Sequence, residues 1–325
     1  MSRLLLADIG GTYARFTFAS GKAVGPIWST EVGAHHDVGK AIAAFLETDA
    51  HRAGIDGALF AAAGPVQGGQ CRLTNAAWII DEEEIAGTFA IPWVRVVNDL
   101  EAVAAGLADL PPAQTRPIGA GAAIPGAPMA IIAPGTGLGM ACLFPGPGGR
   151  CVLPSEGGHA GVAGIDEHSD AVIGFLRRRF GRVSAERVLS GPGLSNLHQA
   201  IVSLQGGRSS VRSPSEITAG ALDRSSPACL AVIDMFCALL GAVAGDTALT
   251  FGARGGVFIG GGIVPRFVEH LSRSAFRQWF EAKGRLGAYA ARIPTRVILH
   301  PNPAFFGLIS LAEGLRGPRR SVQPA

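Results

Sequence analysis

Leu4-Leu5-Leu6-Ala7-Asp8-Ile9-Gly10-Gly11-Thr12-Tyr13-Ala14-Arg15-Phe16-Thr17-Phe18 is the stretch on which the architecture turns. The apolar run Leu4 to Ala7 enters a glycine turn, and beyond it Ala14, Phe16 and Phe18 alternate with Tyr13, Arg15 and Thr17. Period two places alternate side chains on opposite faces, so the spacing predicts strand, turn, strand. The same device recurs downstream. Ala130-Ile131-Ile132-Ala133 enters Pro134-Gly135-Thr136-Gly137-Leu138-Gly139, and Met140 to Phe144 leaves as a second apolar strand. Glycines at such turns let bare backbone N–H groups converge on an anion, and the threonine hydroxyls add donors, so both turns suit phosphate. One such turn is in most proteins only a tight hairpin. The pair describes a two-lobed nucleotide enzyme. A Rossmann site would open a helix directly after the glycines, and a Walker loop would carry Gly-Lys-Ser/Thr; neither pattern is present.

The rest of the chain agrees with a large folded body. At 325 residues it exceeds one ordinary core, and 48% hydrophobic against 16% charged residues excludes disorder. A net charge of +3 is spread along the chain, and the basic runs Arg177-Arg178-Arg179 and Arg316 to Arg320 read as a solvated helix face and a tail, so no nucleic-acid footprint is expected. The 5 cysteines lack Cys-x-x-Cys spacing, which argues against zinc and against a disulfide framework and favours a reducing cytoplasm. The longest apolar stretch, Met235 to Gly245, falls short of the roughly 20 residues a membrane span needs. It reads as a buried helix, so no membrane association is expected.

Between and after the hairpins, strands alternate with helices, which indicates α/β layers. Asp37 to Ala53 reads as an amphipathic helix with Ile42, Phe45 and Leu46 inward, Gly57 to Ala63 as a buried strand, and Cys71 to Thr74 as a strand pairing back after a turn. Val94 to Val97 is a further strand that delivers Asn98 and Asp99 at its carboxyl end, where ligands gather in such sheets. The segment 110–128, rich in Pro, Gly and Ala, reads as the hinge. The expected lobes are therefore 1–109, joined by a last helix over 304–318, and 110–303. In the second lobe, helices are predicted over 169–180, 194–204 and 228–250, a polar loop over 205–215, and strands over 257–259 and 295–299.

Asp99 is the first candidate for chemistry. A carboxylate within reach of a sugar hydroxyl takes its proton as the bond to phosphorus forms; the plainer reading is Asp99 as an N-cap of the helix from Leu100. Glu156 and His159 read either as hydroxyl partners or as ordinary exposed loop groups, and Glu186 as a first-turn helix acid. His159 has no second ligand at zinc spacing.

Asp8-Ile9-Gly10-Gly11-Thr12, Val97-Asn98-Asp99, Gly135-Thr136-Gly137-Leu138-Gly139, Glu156-Gly157-Gly158-His159, Ser184 to Leu194 and Gly256 to Pro265 together resemble the bacterial glucokinase family, in the expected order over nearly the whole chain. The resemblance implies a two-lobed, actin-like ATPase (ribonuclease H-like) fold of the hexokinase type. It implies ATP-dependent phosphorylation of glucose at its 6-hydroxyl by a cytoplasmic homodimer. By the same resemblance Asp99 is the general base, and Asn98, Asp99, Gly137, Glu156, His159 and Glu186 contact the sugar. Ala7, Asp8, Ile9, Gly10, Gly11, Thr12, Gly135, Thr136, Gly260, Gly261 and Gly262 bind the nucleotide, and Asp8 orients Mg²⁺ through water. Two positions depart from the family. Tyr13 stands where asparagine is usual, and Ala76 and Ala77 are smaller than usual in Thr74-Asn75-Ala76-Ala77-Trp78. The alternatives are a kinase for mannose, fructose or an amino sugar, a sugar-responsive regulator on the same fold, and an actin-like ATPase. The regulator expects a helix-turn-helix ahead of the first strand and a Cys-rich loop after Glu-x-Gly-His; the ATPase has no use for the hydroxyl-binding set.

Overall fold

The computed structural model describes residues 2–48, 54–146, 149–207 and 211–316. The chain divides into two compact units, Met1–Leu110 with Pro301–Ala325, and Pro111–His300.

In the first unit, β1 (Arg3–Ile9) and β2 (Tyr13–Ser20) form the hairpin that the alternation predicts, with Asp8 opposite Arg15 and Ile9 opposite Ala14. β3 (Ala23–Val24) and β4 (Trp28–Glu31) both pair with β2, and α1 follows over Val38–Glu47, capped by the Asp37 side chain accepting from the Lys40 N–H. The end of the helix expected to Ala53 lies outside the described residues. β5 (Gly57–Ala62) lies parallel to β1, buried throughout. β6 (Val66–Gln67), β7 (Gln70–Arg72) and β8 (Ile79–Asp81) make a small separate sheet, and α2 (Glu82–Phe89) follows on an Asp81 cap. β9 (Val94–Asn98) then adds parallel to β5 and runs directly into α3 (Asp99–Ala105). Leu5, Ala7 and Ile9 face one core with Ile42, Phe45 and Phe60, while Leu4, Leu6, Leu59 and Ala61 face the other with Ala102, Phe305 and Leu308. Alternation along the strands therefore builds a sheet with helices on both faces.

The second unit repeats the plan. β10 (Thr115–Ile118) is an edge strand antiparallel to the last strand of the sheet, so the stretch expected to be only a hinge contributes to the fold. β11 (Met129–Pro134) and β12 (Leu138–Gly146) are the second hairpin, continued by β13 (Gly149–Ser155). Helices α4 (Glu167–Phe180), α5 (Gly191–Leu204), α6 (Pro214–Leu222) and α7 (Pro227–Phe251) follow. α6 begins within the stretch expected to be a loop, of which residues 208–210 lie outside the described set. β14 (Gly256–Ile259), the short helices α8 (Val268–Arg273), α9 (Phe276–Glu281) and α10 (Gly287–Ala291), and β15 (Thr295–Ile298) complete the unit. β14 is parallel to both β11 and β15. In each unit a hairpin thus leads with a strand that is parallel to two later ones. α7 matches the helix expected over 228–250 to within one residue at each end; it is long and apolar enough to cross a membrane, and 67% of its most apolar window is buried in the unit. Val232, Phe236, Leu239 and Leu240 pack there with Ile132, Leu197, Val257 and Phe276, so α7 is the central core helix. α11 (Ala304–Arg316) packs in the first unit, against Leu4, Leu6 and Leu59; residues 317–318 of the expected helix lie outside the described ones.

Candidate active site

Three parallel strands end together in the first unit. Ile9, Ala62 and Asn98 stand side by side across β1, β5 and β9, so the carboxyl ends of these strands present Asp8, the Gly10 turn, Gly64 and Asp99 along one edge. The turn is closed by the Gly10 N–H donating to the Tyr13 carbonyl at 2.9 Å. Gly11 cannot be replaced without movement: a Cβ there would lie 2.9 Å from the Asn75 Cβ. Thr12 and Tyr13 are exposed beside the turn. Ala7 and Ile9, expected to touch nucleotide, are fully buried. Their side chains anchor the strand in the core and leave the ligand side to their neighbours, because alternate residues of a strand face opposite ways.

Asp8 is the acid of this edge. Its side chain is only 19% exposed, and the Arg15 guanidinium is 3.8 Å away, too far for a close ion pair. Burial pushes its carboxyl up to about 6, Arg15 opposes the shift, and the nearby charge of Asp99 adds to it. Asp99 itself sits in the first turn of α3, and it is Asn98 rather than Asp99 that caps the helix. The Asn98 Oδ1 accepts from the Leu100 and Glu101 N–H groups, at 3.0 and 3.3 Å, and its Nδ2 donates to the Gly64 carbonyl at 3.1 Å. Asn98 is therefore tied to the scaffold on both sides, which fixes the backbone of the next residue. The Asp99 Oδ1 accepts from the Leu100 N–H at 2.8 Å. Burial raises the Asp99 carboxyl above its ordinary value, and hydrogen bonds from Leu100, from its own N–H and from Asn98 hold it down in part. Beside it the Cys71 thiol is pushed up to about 11, first by burial and then by the Asp99 charge, so it stays a neutral thiol.

The second unit presents a matching edge. The Gly135 N–H donates to the Gly137 carbonyl and the Gly135 carbonyl accepts from the Gly191 N–H, both at 2.8 Å, so the turn is fastened to the start of α5. Glu186 reaches the same turn. Its Oε2 accepts from the Leu138 N–H at 3.0 Å, and a Cβ on Gly137 would lie 2.6 Å from that oxygen. The His159 Nδ1 is 3.9 Å from the Glu186 Oε1, and the His159 Nε2 is 3.8 Å from the Glu156 Oε2. The structure thus gathers Gly137, Glu156, His159 and Glu186 into one polar group. A Cβ on Gly158 would run into the Leu138 carbonyl, so only glycine brings this segment close enough for His159 to join. The Arg182 guanidinium donates to the His159 carbonyl at 2.8 Å, a brace with no sequence signal. Gly260 to Gly262 lie at the carboxyl end of β14, beside β11. The Gly260 N–H is used on the Ile132 carbonyl; Gly261 has φ +78 and packs on the Pro134 carbonyl, while Gly261 and Gly262 are exposed. Gly260 is accordingly a packing residue, and the two that follow carry the accessible backbone.

Chemically, the first edge offers a raised carboxylate held in a fixed pose, a second carboxylate and a glycine turn with exposed threonine. The second offers a glycine turn, two carboxylates and an imidazole. Carboxylates accept from hydroxyls, and an imidazole donates or accepts as its tautomer requires. Among the described residues no group of three or more His, Cys, Asp or Glu could hold a metal by itself.

Comparison with known proteins bears on this arrangement. A family model described as Glucokinase matches residues 5–314. A glucokinase of Paramagnetospirillum magneticum is 42% identical over 311 residues, 95% of this chain and 97% of that one. The crystal structure of a glucokinase from an Antarctic psychrotroph superposes with a TM-score of 0.89 at 32% identity, covering 96% of this chain and 99% of that chain. A ROK-family glucokinase from Streptomyces griseus, solved in complex with glucose and AMPPNP, shares the fold at a TM-score of 0.61 and 18% identity, over 95% and 99% of the two chains. The match spans both hairpins and both polar edges, and the chain belongs to the glucokinase family.

Proposed function

We infer that the chain is a glucokinase in which Asp99 is the general base, transferring the γ-phosphoryl group of ATP to the 6-hydroxyl of glucose. The carrying observation is the clamped Asn98-Asp99 pair. Asn98 is held by α3 and by Gly64, and the carboxylate that follows it is buried enough to be a stronger base than an ordinary aspartate. An Asp99 oxygen takes the 6-hydroxyl proton as the oxygen–phosphorus bond forms and the bond to the β,γ-bridging oxygen breaks, releasing ADP. A positioned base of this kind contributes about 10²–10⁴-fold. Gly11, Thr12, Thr136 and Gly137 offer N–H and hydroxyl donors to the phosphates, while the Gly10 and Gly135 N–H groups hold the two turns closed. Glu156, His159 and Glu186 accept and donate to the sugar hydroxyls, while Gly261 and Gly262 lie open to the adenosine end.

Mg²⁺ fits the donor set. It takes few carboxylates and keeps several waters, and Asp8, a recessed carboxylate with only a distant cation, suits that role. When bound, the ion neutralises charge on the phosphates. A soluble cytoplasmic homodimer acting on these small molecules, and on neither nucleic acid nor membrane, completes the proposal.

The test is an ADP-release assay across glucose, mannose, fructose, glucosamine and 2-deoxyglucose. Each lost hydroxyl partner costs about 1–3 kcal/mol, so glucose is expected to give the highest kcat/KM by about 10-fold or more. A higher kcat/KM for another hexose would move the assignment to that sugar, and sugar-independent ADP release would reject a hexokinase role.

A further inference from the structure

We propose that the second unit carries a separate binding site for an organic phosphate monoester, built around Arg254, Tyr289 and Arg292. A cavity of about 590 Å³ is lined by Gly121, Ala122, Ile124, Arg254, Tyr289 and Arg292, with Ala291 and Ile293. That size lies in the range of small-molecule sites. Its place in the fold separates it from the glycine turns. Arg254 precedes β14, Arg292 precedes β15 and Ile124 precedes β11, so the cavity opens at the amino ends of these three strands. Gly135 to Gly137 and Gly260 to Gly262 follow the carboxyl ends of β11 and β14, the opposite edge of the same sheet.

The chemistry of the lining selects the ligand class. Arg254 and Arg292 are both exposed, and among the described residues neither guanidinium is paired with a carboxylate. Two unopposed guanidiniums at one cavity match the charge of a dianionic phosphomonoester and the forked geometry of its oxygens. The Arg254 Cζ lies 6.0 Å from the centre of the Tyr289 ring, so a flat apolar surface stands beside the cationic end. With Ile124 and Ile293 it suits the sugar or base portion of a ligand rather than a bare ion. The wall is also built in advance. The Ala122 N–H donates to the Arg292 carbonyl at 3.1 Å, and the Ile124 N–H to the Arg254 carbonyl at 3.0 Å, tying the loop to both arginine segments. Gly121 has φ +122, and a Cβ there would lie 2.7 Å from the Ile293 carbonyl carbon, so the loop reaches this pose only with glycine.

Two sources share this chemistry, a hexose phosphate such as the product of the proposed reaction, and a nucleoside monophosphate. Calorimetry on the full chain distinguishes them. The protein is first saturated with glucose and AMPPNP to fill the proposed active site, then titrated with glucose 6-phosphate, AMP and inorganic phosphate in turn. One of the two esters is expected to bind at least about 10-fold tighter than inorganic phosphate, and which one does so names the source. The Arg254→Gln/Arg292→Gln double variant is expected to weaken that binding at least about 10-fold while kcat and the KM for glucose stay unchanged, the loss expected when charged hydrogen bonds are removed. Tyr289→Leu, which keeps both charges, is expected to erase the preference for the ester over inorganic phosphate. Absence of binding by any of the three, an ester no tighter than inorganic phosphate, or equal binding by wild type and the double variant would overturn the site. None of these outcomes touches the assignment of Asp99, which the sugar assay tests separately.

Discussion

At the scale of single residues, Asp8 and Asp99 hold charge where the fold disfavours it. Burial raises both carboxyls, so for each the native state binds a proton more readily than the unfolded chain does. Stability from such a group is greatest below the unfolded value and declines as pH rises through the folded one. For Asp8 that window runs from 3.8 to about 6. Above it the ionised carboxylate costs on the order of 3 kcal/mol. Asp8→Asn is therefore expected to raise the melting temperature of the ligand-free protein at pH 7.5, to flatten its dependence between pH 4 and 6, and to lose most ATP-dependent turnover. A melting temperature that falls would reject this account of Asp8. For Asp99 the same shift acts on rate: kcat is expected to fall on the acid side with a midpoint above the ordinary aspartate value, read from a pH profile at saturating glucose and ATP. Asn98, expected as a sugar ligand, is also the N-cap of α3 and holds the Gly64 carbonyl. Removing an N-cap costs about 1 kcal/mol, and here it also frees Asp99. Asn98→Ala should lower kcat more than it lowers stability, and Asn98→Asp, which keeps the cap, should recover most of the stability.

At the scale of elements, the hairpins were readable because a glycine turn separates two apolar runs, and β9 because its apolar run ends in Asn98 and Asp99. What escaped did so for identifiable reasons. β10 contains Pro117, which a strand tolerates only at an edge, and an edge position is not visible in a local pattern. α6 was hidden inside a polar stretch although Ser213-Pro214-Ser215-Glu216 spells a capping box with proline in the first turn, and the structure shows both capping bonds. Glu186 is a third case. The resemblance marked it as a sugar contact, but nothing in the local sequence shows that its Oε2 accepts from the Leu138 N–H at the end of the Gly135 turn while its Oε1 faces His159. One side chain thus links the Glu156 and His159 pair to the turn. Glu186→Ala is expected to raise the KM for glucose and for ATP together, each by about 5-fold or more, as the loss of a charged hydrogen bond would. A change confined to glucose would show that the bond to Leu138 is incidental. The Gly158 segment makes a matching point about close approach. Gly158→Ala forces a Cβ onto the Leu138 carbonyl, and a loss of about 1–3 kcal/mol in unfolding free energy is expected, with a weaker grip on glucose.

At the scale of the whole molecule, the two units share a plan in which a hairpin strand is parallel to two later strands, and in each a glycine turn lies at the carboxyl end of that hairpin strand. The class of fold was legible from the repeated hairpin and the strand–helix alternation. The span of α7 was legible too, but its place at the centre of the second core was not, because that depends on neighbours distant in sequence such as Ile132, Leu197 and Phe276. The proposed division of labour has one sharp consequence: Asp99, the proposed base, belongs to the first unit, while Glu156, His159 and Glu186, proposed to bind the sugar, belong to the second. Loss of the base should slow transfer without loosening the sugar. Steady-state turnover and calorimetric glucose binding of Asp99→Asn, measured side by side, test this directly. The account predicts a fall in kcat of about 10²–10⁴-fold with glucose affinity within a few-fold of wild type and an undiminished melting temperature. Turnover within a few-fold of wild type would contradict it.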